Sequence, residues 1–387
     1  MKAIRNGRCI LPDENGAFAL QTGKIILYDE DAVRAVVEEK DFDAAGCEEI
    51  LDAGGRYVAP GFINVHIHGC AGSDTMDDDP AAIRTMQQFL PQTGVTSFLP
   101  TTMTCAWADI AAALGHVRAA MNEPPAGARV LGAHMEGPFI SAEKKGSQDA
   151  RHILPPDWSR LEPYADVVRI VTVAPETLPD DTFARRCQKA GIRVSIGHTA
   201  ADYETAVRAV REQGIGRFTH LYDAMSAFHH RAPGAVGAAF DTDARVELIT
   251  DNVHSCPAAQ RLVWKVKGRG GILLITDSLR ACGVGDGPSE LGGQKVLVRG
   301  ELATLEDGTI AGSVAAMNRC VRFFRENTGA SVPEVIELVT KNPAEDLGLY
   351  DQLGSIAPGK RADFAIFDEE IRIFAAIVGG RCRWQAG

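Results

Sequence analysis

The chain has 387 residues, 45% apolar and 24% charged, with a net charge of −11, which allows one large domain plus a smaller one in ordinary globular proportions. The negative balance argues against a general nucleic-acid partner, although local donors or metals could still draw a small anionic substrate into a pocket. No apolar stretch reaches the length of a membrane span, Met1–Gly7 lacks the apolar core of a secretory signal, and the nine Cys are scattered, odd in number and free of any C-x-x-C, so reduced thiols in a cytoplasmic protein are expected.

Residues 1–58 are rich in Gly and in short apolar runs such as Lys24-Ile25-Ile26-Leu27-Tyr28. The C-terminal segment from 353 reads the same way, with Asp363-Phe364-Ala365-Ile366-Phe367, Ile371-Arg372-Ile373 and Ala376-Ile377-Val378. The two ends are expected to pair into one small β domain (1–58 plus 353–387), with residues 59–352 inserted between them. That middle portion carries eight apolar runs: Phe62–His68, Ser97–Thr101, Val130–Met135, Val167–Val173, Val194–His198, Phe218–Tyr222, Val246–Thr250 and Ile272–Thr276. Helical spacing separates several of them, as in Ala81 to Leu90 (Ile83, Met86, Leu90) and Tyr203 to Val210 (Ala206, Val207, Val210). Alternating strand and helix signals of this number fit an α/β fold, a (β/α)8 TIM barrel; a doubly wound open sheet is the alternative.

Barrel enzymes build their sites at the C-terminal ends of the strands. The first run ends in His66-Ile67-His68, two imidazoles on one face of a strand. A lone His-x-His reads as well as two polar residues at a strand end, so the other runs decide. The third ends in Glu136, the fifth in His198, the sixth in His220 and the eighth in Asp277. Four of only ten His and two carboxylates thus fall at one rim. An N/O donor set without thiolate suits a divalent ion such as Zn²⁺, Fe²⁺, Mn²⁺ or Co²⁺, with an open position for water. The fourth run ends Val173-Ala174-Pro175-Glu176, with no Lys to carry a bridging carbamate, which leaves Glu136 as the primary or bridging ligand. His134 shares a strand with Glu136 but lies one layer deeper and reads as an interior hydrogen-bonding residue.

Pro60-Gly61-Phe62-Ile63-Asn64-Val65-His66-Ile67-His68-Gly69 and Gly354–Asp363 resemble the amidohydrolase superfamily, whose members join a metal-dependent barrel to a β-sandwich made from both chain ends. Within it the chain is similar to the N-acetylglucosamine-6-phosphate deacetylases, through His134–Phe139, Gly197-His198-Thr199, Thr219–Met225, Asp251-Asn252-Val253-His254, Thr276-Asp277 and Gly308–Ser313. The resemblance implies that Glu136, His198 and His220 hold a main metal, that His66 and His68 add a second site, and that Asp277, at the same metals, is the catalytic acid/base. It implies substrate contacts from Ser147, Gln148, Asp223, Ala224, Arg231, Asp251, His254 and the Ile310-Ala311-Gly312 loop to an amino-sugar phosphate. A homodimer is expected from the same resemblance. Arg231 and His254 also make chemical sense as phosphate partners.

The chain departs from the family pattern at three points: Asp223 where many members have Asn, Ala232 before Pro233-Gly234 in place of Glu, and Gln148 where some members have His. The reaction expected is hydrolysis of the N-acetyl group of N-acetylglucosamine 6-phosphate. Deacetylation of the galactosamine epimer or another acylated amino sugar is an alternative, followed by a cyclic-amide hydrolase or nucleobase deaminase on the same scaffold. A metal-binding barrel without catalysis is the non-enzymatic alternative; a free carboxylate at Asp277 beside an open metal position speaks against it.

Overall fold

The computed structural model describes residues 1–387. Eight parallel strands form the central sheet: β1 (Phe62–Ile67), β2 (Val95–Thr102), β3 (Ala133–Glu136), β4 (Val168–Val173), β5 (Arg193–Ile196), β6 (Arg217–Phe218), β7 (Arg245–Ile249) and β8 (Ile272–Ile275). Each pairs with the next in chain order, from β1–β2 to β7–β8. The last strand returns to the first just past its end, where the Asp277 N–H donates to the His66 carbonyl over 3.0 Å and the His68 N–H to the Ser278 carbonyl over 2.9 Å. Chain-ordered neighbours and this closure make the sheet a (β/α)8 barrel and exclude the doubly wound alternative.

All eight apolar runs are barrel strands, because strands of a parallel sheet covered by helices are buried on both faces and lose the polar alternation of a half-exposed strand. The helix Ala81–Phe89 buries Ile83 and Met86 against the barrel. Tyr203–Arg211 buries Ala206 and Val207 and starts at Asp202, whose side chain accepts from the Thr205 N–H. The lower barrel interior is plugged by Ile63, Val65, Leu99, Ile170, Ile249 and Ile275, packed with Ala344 and Leu353. Above that layer the interior turns polar: the His134 ring bonds the Val65 carbonyl at 3.0 Å and the Thr172 hydroxyl at 2.8 Å, and Thr172 reaches Thr219 at 2.8 Å.

The two chain ends meet in a β-sandwich. One sheet orders Val33–Glu38, Lys24–Tyr28, Lys2–Arg5 and Glu49–Asp52. The other orders Arg381–Gln385, Ile373–Val378, Phe364–Phe367, Tyr57–Pro60, Arg8–Pro12 and Phe18–Gln21, so C-terminal strands pair directly with N-terminal ones. Ile4, Leu11, Ile26, Val58, Phe364, Ile366 and Ile377 fill the space between the sheets. Tyr57–Pro60 ends two residues before β1 begins, so the strand that joins the ends also leads into the barrel.

One element has no counterpart in the sequence reading. After β8 the chain forms a three-stranded antiparallel sheet, Gly287–Leu291, Gln294–Arg299 and Leu302–Leu305. Its signal was present: Gly292-Gly293 is a two-residue hairpin turn, and buried Val296 and Val298 alternate with exposed Leu297. This sheet stands over the C-terminal rim of the barrel.

Candidate metal centre

The rim residues foreseen at the strand ends converge. His66, His68 and Glu136 form one buried group whose ligand atoms lie within 4.8 Å of one another; Glu136, His198 and His220 form a second. Glu136 belongs to both. Its Oε1 lies 3.2 Å from His198 Nε2 and 2.9 Å from His220 Nε2, and its Oε2 lies 3.3 Å from His68 Nε2. Asp277 closes the ring, with Oδ1 3.3 Å from His66 Nε2 and 3.1 Å from His68 Nε2.

The backbone that presents these groups is unusual. His198, His220 and Asp277 have φ of 46°, 30° and 48°, a left-handed conformation sparsely used by residues other than glycine. All three stand two residues past the ends of β5, β6 and β8, where the chain must turn out of the barrel. Such conformations persist where the surroundings over-determine them, and they cluster at functional sites. Gly197, just before His198, makes the turn possible: a Cβ there would lie 2.7 Å from Thr219 Cβ and 2.8 Å from Thr172 Cγ2.

The imidazoles are oriented from behind. His198 Nδ1 faces the Lys144 carbonyl at 3.0 Å and His68 Nδ1 the Thr101 carbonyl at 3.2 Å. A carbonyl only accepts, so both Nδ1 atoms carry a hydrogen, and Nε2 is the atom each ring presents to the cluster. His66 Nδ1 meets a carboxylate, Glu247 Oε2, at 2.9 Å. Glu247 is fully buried, as is Arg217, whose guanidinium donates to Glu247 on one side and to Asp346 on the other. Neither residue stands at the C-terminal end of its strand, where the expected site residues lie. A Glu within the apolar run Val246–Thr250 was the available signal, because a buried charge requires a partner.

A divalent cation fits this set. His66 Nε2 and Asp277 Oδ1 are buried and have no hydrogen-bond partner, though they face the other donors. Nε2 of His198 and of His220 lie 3.1 Å apart, which a shared cation explains better than two facing lone pairs. The local field agrees. Burial opposes charge on Glu136 and Asp277, but the neighbouring histidines, His66 above all, hold both carboxyls well below their usual range. Burial likewise opposes charge on His68, and the facing carboxylates of Asp277 and Glu136 nonetheless push it up to about 10. The cluster therefore favours positive charge among its donors.

A cavity of about 290 Å³ opens onto the cluster. Of the residues foreseen as substrate contacts, Ser147, Gln148, Asp223, Ala224, His254, Ile310 and Gly312 line it. Asp251 lies behind the wall, where its Oδ2 bonds His254 Nδ1 at 2.7 Å. That bond outweighs the cost of burial and raises His254 to about 9. Burial raises Asp223 to about 6, against the pull of His254. Ala311 is buried beneath Ile310, among Leu279, Leu291 and Val296. Arg231 is exposed and does not line the cavity; it sits on the loop that also exposes Phe228 by 58%. Gln148 is already engaged: its Oε1 accepts from the Thr104 N–H at 2.7 Å and its Nε2 donates to Glu136 Oε2 at 2.8 Å. The added sheet supplies Leu291 to the wall, and Gln294 donates to the Ser147 carbonyl.

Comparison with known proteins agrees with this architecture. Residues 57–383 match the amidohydrolase family. An N-acetylglucosamine-6-phosphate deacetylase of Bacillus subtilis (strain 168) is 40% identical over 341 residues, 86% of each chain. An N-acetylgalactosamine-6-phosphate deacetylase of Escherichia coli O157:H7 is 33% identical over 329 residues, 84% of this chain and 87% of its own. The crystal structure of an N-acetylglucosamine-6-phosphate deacetylase from Pasteurella multocida is similar with a TM-score of 0.93 at 29% identity, covering 100% of both chains.

Proposed function

The chain belongs to the amidohydrolase family, and from that premise we propose that it hydrolyses the N-acetyl group of N-acetyl-D-glucosamine 6-phosphate, giving acetate and D-glucosamine 6-phosphate in amino-sugar metabolism. The observation that carries the reading is the convergence of two His/carboxylate groups and Asp277 on one cavity, in a chain so similar to deacetylases of this substrate. The galactosamine epimer is the second reading, favoured by the Escherichia coli relative.

We assign Glu136, His198 and His220 to one divalent ion, and His66 and His68, with Glu136 and Asp277 beside them, to a second; Zn²⁺ or Fe²⁺ suits the donors best, with Mn²⁺ or Co²⁺ as alternatives. When bound, such ions lower the pKa of water to about 7 and polarise a carbonyl. Asp277 acts as the acid/base. It accepts a proton as the water oxygen bonds to the acetyl carbon, then returns it to the amine nitrogen as the C–N bond breaks. Its Oδ1 is held beside His66 and His68, at the position where the proposed ions would sit. Gln148 holds Glu136 in place, leaving little donor capacity for the acetyl group.

His254 is the cationic group of the cavity wall, and with Ser147, Asp223, the Ala224 backbone and the Ile310–Gly312 loop it is assigned to the sugar phosphate. Asp251 and Ala311 support these contacts from behind. Arg231 belongs to the same assignment but is not at the cavity of its own chain, so its part depends on the proposed homodimer or on movement of its loop. No helix is long and apolar enough to cross a membrane, and all nine cysteines are free; the setting we propose is a cytoplasmic enzyme acting on a small molecule.

The test is acetate release from N-acetylglucosamine 6-phosphate, N-acetylgalactosamine 6-phosphate and their dephosphorylated forms, using enzyme of measured metal content. Preferred turnover of the glucosamine phosphate is expected. Preference for the other epimer transfers the assignment to the second reading, and no turnover of any of the four, with metal bound, overturns the deacetylase.

A further inference from the structure

Glu247 touches neither the cavity nor the reacting atoms, yet it is tied to both halves of the metal centre. Its Oε2 lies 2.9 Å from His66 Nδ1 and 3.4 Å from the backbone N–H of His220, while its Oε1 accepts from the buried guanidinium of Arg217. Arg217 in turn donates to Asp346, on the helix Lys341–Asp346 below the barrel. A line of charges thus runs from the base of the barrel to the ring of His66.

We infer that Glu247 is a positioning residue that fixes the tautomer of His66, so that Nδ1 carries the hydrogen and the Nε2 lone pair is presented to a cation. The argument depends on which groups can donate. Arg217 can only donate, so the oxygen facing it must accept. The other oxygen of an ionised carboxylate accepts from His66 Nδ1, and the neutral ring then has its lone pair at Nε2, the atom that faces Glu136 and Asp277. An amide in place of the carboxylate breaks this symmetry. With its oxygen held by Arg217, a Gln at 247 turns its NH₂ toward His66 Nδ1, and the ring must move its hydrogen to Nε2. The same-sized side chain would then aim an N–H at the cation. Partners behind metal-ligating histidines are typically worth about 10–100-fold in metal affinity.

This inference rests on the assignment of His66 to a metal. The experiment measures Zn²⁺ stoichiometry and affinity of the full chain, together with the His66 tautomer from long-range ¹H–¹⁵N spectra of the Zn²⁺-loaded protein. Glu247→Gln should fold, judged by circular dichroism, and bind one of its Zn²⁺ ions about 10–100-fold more weakly. In an Arg217→Met/Asp346→Asn background the amide is free to rotate, so there Glu247→Gln should cost much less. A loss that is as large or larger in that background assigns Glu247 to fold maintenance and overturns the inference. So does unchanged Zn²⁺ affinity in the single variant. If the variants fail to fold, the wild-type spectrum decides alone: a hydrogen on His66 Nε2 overturns the inference, and one on Nδ1 supports it. Failure of the wild-type chain to take up Zn²⁺ instead removes the metal assignment, and this inference with it.

Discussion

The backbone N–H of Asp277 donates to the carbonyl of His66 over 3.0 Å, and their side chains meet at 3.3 Å between Oδ1 and Nε2. One of the backbone bonds that close the barrel between its eighth and first strands therefore also sets the proposed acid/base against a proposed ligand. Any change in barrel closure alters the chemistry directly, because the seam of the sheet and the centre of the site are the same few atoms.

Asp277→Asn tests the acid/base role. Asn tolerates left-handed backbone better than most residues, so the φ of 48° can be kept and the fold retained. Its amide cannot shuttle a proton, and kcat for acetate release should fall by about 10²-fold or more. Turnover near the wild-type rate, with metal content unchanged, would remove Asp277 from the proton path.

Much of this site was legible because parallel barrel strands read as largely apolar runs, so the residue that ends each run can be picked out and tested for metal-ligating chemistry. Glu136, His198, His220 and Asp277 were found that way. Glu247 and Arg217 were not. They sit on neighbouring strands and their pairing is a matter of barrel register, which a linear reading does not supply. The added sheet at Gly287–Leu305 is obscure for a different reason: its signal is one short hairpin, turning at Gly292-Gly293, within a long strand–helix alternation. Gln148 was read as a substrate contact, but its bonds to Thr104 and Glu136 depend on how the loop after β3 folds back, which no spacing rule encodes.

His66→Gln/His68→Asn should lower bound metal toward one ion per chain and leave partial activity. Glu136, His198 and His220 remain as a complete three-donor group without the pair. Metal analysis after dialysis checks this. Loss of all bound metal would show that the pair holds the primary ion.

The charge of His254 gives a pH prediction. Asp251 raises its folded-state value from 6.5 to about 9. A raised value keeps the imidazolium through neutral pH and releases the proton only as pH climbs through about 9. KM for the phosphorylated substrate should therefore stay level up to pH 8 and rise above 9. In His254→Asn, KM should be about 10-fold higher or more, as expected for loss of a charged hydrogen bond, and should not respond to pH in that range. A wild-type KM that stays flat to pH 10 would place the phosphate elsewhere.

Arg217 gives a stability prediction. It is the shared partner of two carboxylates, the buried Glu247 and the nearly buried Asp346, and Arg217→Ala removes the guanidinium from both, leaving Glu247 only the His66 ring. Breaking such a buried pair costs about 3–5 kcal/mol, which a urea titration of the metal-free chain would read as a lower midpoint. The pH dependence separates lost charge pairing from lost packing. Burial works to raise the Glu247 carboxyl, but Arg217, followed by His66, lowers it from 4.5 to about 2. A depressed folded-state value contributes stability that is fully present above the unfolded value and is lost as pH falls through the folded one. Wild-type stability should accordingly decline between pH 4.5 and 2 in part through Glu247, and the deficit of Arg217→Ala relative to wild type should narrow across that window. A deficit that stays constant from pH 7 to pH 3 would mean that the Arg217 side chain stabilises the barrel by filling space and not by its charge.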